Sequence, residues 1–491
     1  MSWRFGCHVP APRLLVERCL PVRGGLAEVL QKERRFTGFG LITASLMAVA
    51  PTVAGATMVN LAIWPIVSEW AVPPHSAQWI SSAYIAALAM GLPVSDWLAR
   101  RFGLRRTVLV FLALYFVSSI WAAAASSLTT LVVARIFQGL CAGIIQPATL
   151  AALYVAFPME RRGMAVGLFS FATAAAGGTA PWVGGMLVDW AGWRSMFLAL
   201  AIPAAAAIPL VFKFYPEKTP DAAETPMDWA GLGLLILSIG LSIMGLHRLA
   251  TRGGDLLELF VPVIGAVICF YLFWRREISV RNPLIDMRAL AQPRMASSCS
   301  INFLLGTGLY GSTFLIPLYA QEVLAMSAND AGLVLLPGAV VLMIGTLIAG
   351  KLLDQISLSG MMSMGIGVFA VSNVMLAYAS PANTFAAFAL IVAFGRLGLS
   401  AAHPAVHLAI MKSGTSFVGQ SAGLTNLTRQ LGGSFGILTL TLVAHWGHAP
   451  ATTLIGQAGY RRAFIASAIL LVAAVAAAAI YSRTDDKAQK L

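Results

Sequence analysis

Acid is scarce in this chain. Of its 491 residues, 20 are Asp or Glu, against 33 Lys or Arg. Charge of either sign makes up only 11%, and its placement is uneven: the 28 residues between Arg106 and Arg135 carry none. Similar charge-free runs cover 36–68, 136–159, 163–188, 295–321, 331–350, 355–395 and 463–482. Such runs exclude a water-soluble core. A bilayer core of about 30 Å is crossed by about 20 mostly apolar helical residues, so the chain reads as an all-α polytopic membrane protein.

Cysteine is scarce as well. Cys7, Cys19, Cys141, Cys269 and Cys299 are odd in number, scattered and without metal-like spacing, so unpaired apolar thiols are expected. A phosphate-cradling Gly-rich loop is missing, which excludes direct drive by ATP. So are a repeated pore loop or charged ring, which speaks against a channel. Nothing arranges a nucleophile with a base, so no enzyme and no cofactor is expected. His403 and His407 have the i,i+4 spacing of a metal pair, but no Glu follows His403 and no third ligand is evident, so no metal is expected. Residues 1–35 are basic and mixed, without the apolar core and cleavage site of a signal peptide.

What is present is apolar: 58% hydrophobic residues, with 45 Gly suited to close helix contact. Fourteen spans are expected, near 38–66, 78–99, 106–126, 129–153, 162–187, 194–214, 229–249, 256–274, 297–320, 329–352, 360–379, 384–411, 417–444 and 461–482. The turn-like Ser380-Pro381-Ala382-Asn383 divides the longest uncharged run into two. The net charge of +13 lies in short clusters between spans, which is a topology signal and not a nucleic-acid surface. Arg100, Arg101, Arg105 and Arg106, then Arg161 and Arg162, Lys213 and Lys218, Arg275 to Arg294, and Arg483 to Lys490 fall on one side. The opposite loops carry few cations, so both termini are expected in the cytoplasm of an inner-membrane protein.

The Pro-containing loop 214–228 and the basic loop 275–294 divide the chain. The expected parts are a basic tail (1–36), a six-helix bundle (37–214), an inserted hairpin (228–275), a second six-helix bundle (296–482) and a short tail (483–491). Paired bundles with a midplane site between them are a common transporter plan.

Several motifs fall at matching spans. The loop after the second span reads Trp97-Leu98-Ala99-Arg100-Arg101-Phe102-Gly103-Leu104-Arg105-Arg106. The fourth span holds Arg135-Ile136-Phe137-Gln138-Gly139. The fifth holds Gly177-Gly178-Thr179-Ala180-Pro181-Trp182-Val183-Gly184-Gly185. Later come Gly350-Lys351-Leu352-Leu353-Asp354 and Thr428-Arg429-Gln430-Leu431-Gly432-Gly433. In order, these resemble the major facilitator superfamily, and in particular its fourteen-span drug/proton antiporter branch of multidrug permeases. The resemblance implies two six-helix bundles plus two inserted helices. It also implies gating roles for Arg100, Gly103, Arg105, Arg106, Pro181, Gly184, Gly185, Gly350 and Asp354.

The chain departs from that branch where it has no acid. Gly55, in Gly55-Ala56-Thr57-Met58-Val59-Asn60, stands where the branch carries an Asp associated with proton coupling, and Arg100 replaces another. Asp96 is placed to pair with Arg100 one turn later. No Asp or Glu lies in the centre of an expected span, while Arg135, Arg396 and Arg429 do. An intramembrane cation must face water, carbonyls or an anion. Arg396, Ser400, His403 and His407 share one helical face, and a histidine titrating near neutrality is a substitute proton carrier.

The expected cavity comprises Asn60, Arg135, Gln138, Arg396, His403, His407 and Arg429. The expected function is proton-coupled antiport of drugs or amphipathic solutes by alternating access. The alternatives are transport of a specific, anionic metabolite in either direction, and a non-transporting sensor. The expected partners are a small organic solute, protons, the lipid bilayer and, in a Gram-negative host, a periplasmic adaptor.

Overall fold

The computed structural model describes residues 23–157, 162–215, 217, 227–251, 256–280, 283–285, 287–353, 356–380, 384–413, 418–446 and 455–489. Every regular element among them is helical. The first span is broken into three pieces: α1 (Arg23–Thr57), a 3-10 turn (Met58–Ala62) and α2 (Ile63–Trp70). The short α3 (Pro74–Ala77) leads to α4 (Trp79–Phe102), α5 (Leu104–Ala123), α6 (Leu128–Ala156), α7 (Arg162–Ala191) and α8 (Arg194–Phe214). A hairpin follows, of α9 (Trp229–Thr251) and α10 (Leu256–Ser279), then the short α11 (Met287–Leu290). The remainder is α12 (Pro293–Glu322), α13 (Ala328–Leu352), α14 (Leu358–Ala377), α15 (Phe385–Ser413), α16 (Val418–His445) and α17 (Gly456–Gln489). About fourteen of these are long; most lie close to an expected span, while α1 starts well before the expected 38 and α17 runs past the expected 482. Ten are long and apolar enough to cross a membrane among the described residues.

The boundaries have local causes. Ser127, Ser327 and Ser357 cap α6, α13 and α14 by accepting from the backbone N–H three residues on. Asp228 does the same for α9, accepting from Gly231 N–H at 2.9 Å. Gly103 joins α4 to α5 at φ 84°, in the left-handed region where a side chain is strained. The end of α4 beside this turn is tied further by the Asp96–Arg100 ion pair at 2.7 Å, as the i,i+4 spacing predicts.

Helices pack as two similar sets. In the first, α4 lies against α6, α5 against α6 and α8, and α1 against α7 and α8. In the second, α13 lies against α15, α14 against α15 and α17, and α12 against α16 and α17. The sets meet along α7–α13 and α4–α16, while α9 and α10 pair with each other at the side of α16 and α4. The hairpin is pinned where it enters and leaves. Arg276 Nε meets Asp228 at 2.7 Å, and the Ile285 N–H donates to the buried Glu277 carboxyl at 2.9 Å.

The three described cysteines, Cys141, Cys269 and Cys299, are free thiols. Cys7 and Cys19 lie outside the described residues.

Candidate functional site

Two prolines organise the middle of the molecule. A proline within a helix has no N–H for the carbonyl four residues earlier. Pro181 in α7 therefore releases the carbonyl of Gly177, and Pro317 in α12 releases that of Thr313. Both carbonyls are taken up by one short stretch of the first span. Thr57 Oγ1 donates to Gly177 O at 3.1 Å, and Asn60 Nδ2 donates to Thr313 O at 3.3 Å. That stretch is where the first span itself changes to 3-10 geometry, a form that often marks a hinge. Asn60 is buried and also accepts from Ser81 Oγ at 2.7 Å.

The halves are closed at one end. Near Trp70 and Ala191, Gln321 Nε2 donates to Leu61 O at 3.4 Å, and Ser434 Oγ donates to Ser82 O at 3.1 Å. Asp189, at the end of α7, receives the first two N–H groups of α13, from Ala328 at 3.2 Å and Asn329 at 2.9 Å. A carboxylate there satisfies orphan donors and sits at the positive end of the helix dipole. Sequence reasoning missed Asp189. The available signal was an acid four residues beyond Gly185 in an otherwise acid-free span. Gly185 allows the approach, since a Cβ there would lie 2.1 Å from Ala328 O. A Cβ on its neighbour Gly184 would instead strike Met58, in the 3-10 turn, at 2.6 Å. The buried Pro181 lies against α13 at Gly332, where a Cβ would lie 2.6 Å from Pro181 O.

Arg135 is sealed. It is 0% exposed, and its three nitrogens donate to Ile80 O at 2.9 Å, Gln138 Oε1 at 2.9 Å and Gly55 O at 2.7 Å. Its guanidinium stacks over the Tyr84 ring, 3.9 Å from the centroid. Gln138, one turn later on the same face, passes the chain to Ser119 Oγ at 2.8 Å. The backbone of Gly55 thus supplies the acceptor that an acid would have supplied. A side chain there has little room, because a Cβ would lie 2.8 Å from the Tyr115 hydroxyl. That hydroxyl donates to Pro51 O at 2.7 Å, and the Tyr84 hydroxyl donates to Thr52 O.

The second set treats its cations differently. Arg396 has one hydrogen bond from its guanidinium, to Thr313 Oγ1 at 2.8 Å. This joins it, through Thr313, to Asn60. Its stem is seated against α13, where a Cβ on Gly338 would come within 2.8 Å of Arg396 Cγ. Arg429 donates to Asn426 Oδ1 at 2.9 Å, while its Nε is shut from solvent without a partner. His403 and His407 are half-buried, and Nε2 of His403 is likewise shut from solvent without a partner. His403 lies within electrostatic reach of Arg396, His407 and Arg429. Among the described residues no group of three His, Cys, Asp or Glu is placed to hold a metal.

The expected gating residues of the connecting loops fall at helix ends. Arg105 meets Glu217 at 3.5 Å and lies 4.3 Å over the Phe212 ring, tying the α4–α5 loop to the end of α8. Arg106 and Gly350 are exposed. Asp354 lies outside the described residues.

Comparison with known proteins agrees with this architecture. The Major Facilitator Superfamily model matches residues 43–437. The chain is 30% identical over 407 residues to the drug efflux pump JefA of Mycobacterium tuberculosis, covering 79% of this chain and 77% of that protein. It is 26% identical over 419 residues to the methylenomycin A resistance protein of Bacillus subtilis, covering 85% and 90%. A solved POT family transporter, in complex with a thioalcohol-conjugated peptide, shares the fold with a TM-score of 0.67 at 16% identity. That match covers 91% of this chain and 96% of the other. The sealed arginine, the paired helix sets and these matches agree: the chain is a multi-pass membrane transporter that belongs to the Major Facilitator Superfamily.

Proposed function

We propose that this transporter is a proton-coupled antiporter of the fourteen-span drug/proton branch. It exports drugs or other amphipathic organic solutes across the inner membrane by alternating access, with both termini in the cytoplasm. The two helix sets are its six-helix bundles, and α9–α10 is the inserted hairpin. The observation that carries this reading is the asymmetry of contact between the halves. The hydrogen bonds from Asn60, Gln321, Asp189 and Ser434 gather toward one end. Arg429, His403 and His407 lie toward the other end, the one bearing the basic loops. In a rocking transporter this is the conformation open to the cytoplasm.

The test is transport in proteoliposomes with an imposed pH gradient, using anionic, neutral and cationic dyes. Gradient-driven dye movement is expected. Equal flux with and without the gradient would remove proton coupling, and no flux would remove transport and favour a sensor. His403 and His407 are the proposed proton carriers, because no acid lies in the interior of the helices around them. Replacing both by Asn is expected to abolish the pH-driven component and leave the fold intact.

A second reading is transport of a specific metabolite with non-standard coupling. It is favoured by Gly55 standing where the branch carries its acid, with Arg135 satisfied by backbone. A periplasmic adaptor in a Gram-negative host belongs to the export reading.

A further inference from the structure

We propose that the second helix set carries a binding site for an organic anion, with Arg396 and Arg429 as its cationic anchors. The inference deepens the transport reading and rests on it only for how the ligand is delivered and released.

The charge inventory comes first. Helices α12, α13, α14 and α16 surround α15. Of these, α14, α15 and α16 contain no Asp or Glu at all. In α12 the only acid is its last residue, Glu322, and in α13 it is Asp330 in the first turn. Glu322 is held at the closed end by Ile455 N–H at 2.7 Å, Gly456 N–H at 2.8 Å and the Tyr460 hydroxyl at 2.6 Å. It is therefore spent elsewhere. Within the described residues of α12 to α16, two guanidiniums and two imidazoles thus have no interior carboxylate to neutralise them.

Geometry then separates this cluster from Arg135. The Arg135 guanidinium has three acceptors and an aromatic face, so it has nothing left to offer a ligand. Among the described residues, Arg396 and Arg429 each have one acceptor, and both acceptors are neutral side chains. Arg429 Nε and His403 Nε2 are closed off from water yet have no partner among the described residues. Buried donors without partners cost about 1–3 kcal/mol each, more when charged, unless a ligand completes them. A planar carboxylate accepts two parallel N–H bonds from one guanidinium. His403, on the same face of α15 as Arg396, offers a further ring nitrogen. An organic cation would meet the same groups as repulsion.

Location supports the assignment. At 1.5 Å per residue, Arg429 lies about 16 Å into α16, and His403 about 15 Å from the far end of α15. Both positions are on the side away from the Asp189 contact. Arg396 is deeper, beside Thr313 and the Asn60 junction, so an anion held there would touch the point at which the halves meet.

The experiment uses two dyes of one xanthene scaffold, anionic fluorescein and cationic rhodamine 6G, with the full chain in lipid nanodiscs. Saturable fluorescein binding, read by fluorescence anisotropy, is expected to be at least ten times tighter than rhodamine 6G binding. Arg429→Gln and Arg396→Gln are each expected to weaken fluorescein about ten-fold while leaving rhodamine 6G unchanged. Arg429→Lys, which keeps the charge, should restore part of the loss. Each variant is checked for a monodisperse gel-filtration peak, and Arg429→Lys keeps the test decisive if a Gln variant does not fold. Rhodamine 6G binding as tightly as fluorescein, or fluorescein binding indifferent to both arginines, would overturn the site. The same dyes in proteoliposomes separate the two ideas. Rhodamine 6G transport without fluorescein binding overturns the anion site and keeps the transporter. Fluorescein binding without movement of either dye keeps the site and overturns export.

Discussion

Arg135 and Arg429 look alike in sequence: each sits a few turns inside an apolar helix and is followed closely by Gln and Gly. Folding gives them opposite fates. Arg135 is fully enclosed, with every nitrogen assigned to a carbonyl or amide oxygen of its own half. Arg429 has one amide partner and an idle Nε. The difference lies in the neighbours. Tyr84, Tyr115 and the bare backbone at Gly55 build a cage around Arg135, whereas Arg429 donates only to Asn426 one turn earlier among the described residues. A buried arginine is therefore not evidence of a ligand until its acceptors have been counted.

The contrast can be broken most forcefully at Arg135. Arg135→Gln orphans the carbonyls of Gly55 and Ile80 and removes the stacked cation. A loss of about 3–5 kcal/mol, the range for breaking a buried charge network, is expected. It should appear as loss of the monodisperse peak or a large fall in Tm. Arg396→Gln is expected to shift stability by only about 1 kcal/mol, one neutral-partner hydrogen bond, and a comparable collapse there would erase the distinction.

The next effect concerns the closed end. Gly185→Ala drives a methyl against Ala328 O and is expected to cost about 1–3 kcal/mol of the closed conformation, as overpacking does. Spin-label distances between the ends of α7 and α13 should lengthen. Asp189→Ala removes a shared cap worth about 1 kcal/mol and should move the same distance distribution by a smaller population. Unchanged distances in both variants would mean that these contacts do not hold the end shut.

The smallest effect is at the hairpin. Burial, with Asp228 beside it, raises the Glu277 carboxyl above the usual range, and the group lies beyond the expected span. A raised folded value means that the stability contributed by Glu277 is fully present below the unfolded pKa. It is lost as pH rises through the folded value. Glu277→Gln is therefore expected to raise Tm slightly at neutral pH and flatten its decline with pH; a lower Tm at neutral pH would contradict this.

Much of the fold was legible, because charge-free runs and basic loops report helices and their ends directly. A hairpin was expected between the prolines of 214–228 and the basic loop 275–294; α9 and α10 pair in that stretch, and α10 continues to Ser279, past the expected end at 274. The site was only partly legible. Spacing placed Arg135 with Gln138, and Arg396 with His403 and His407, since these relations run along one helix. It said nothing of Thr313, Tyr115 or Asp189, whose partners are 253, 64 and 139 residues away in the chain. Nor could the absent acid at Gly55 be read as replaced, because a backbone carbonyl leaves no mark in the sequence.

The two carbonyls released by Pro181 and Pro317 are sockets filled by neighbouring plugs on a single strip of chain, Thr57 and Asn60. One socket belongs to the same half as the strip and the other to the opposite half. Withdrawing Asn60 undoes the tie to the opposite half at this one point, while Thr57 still holds its own half. The parting of the halves at this point is thus a local event, detached from the integrity of either bundle. Its speed is open to tuning by one amide side chain, without touching the apolar helices that keep the protein in the membrane.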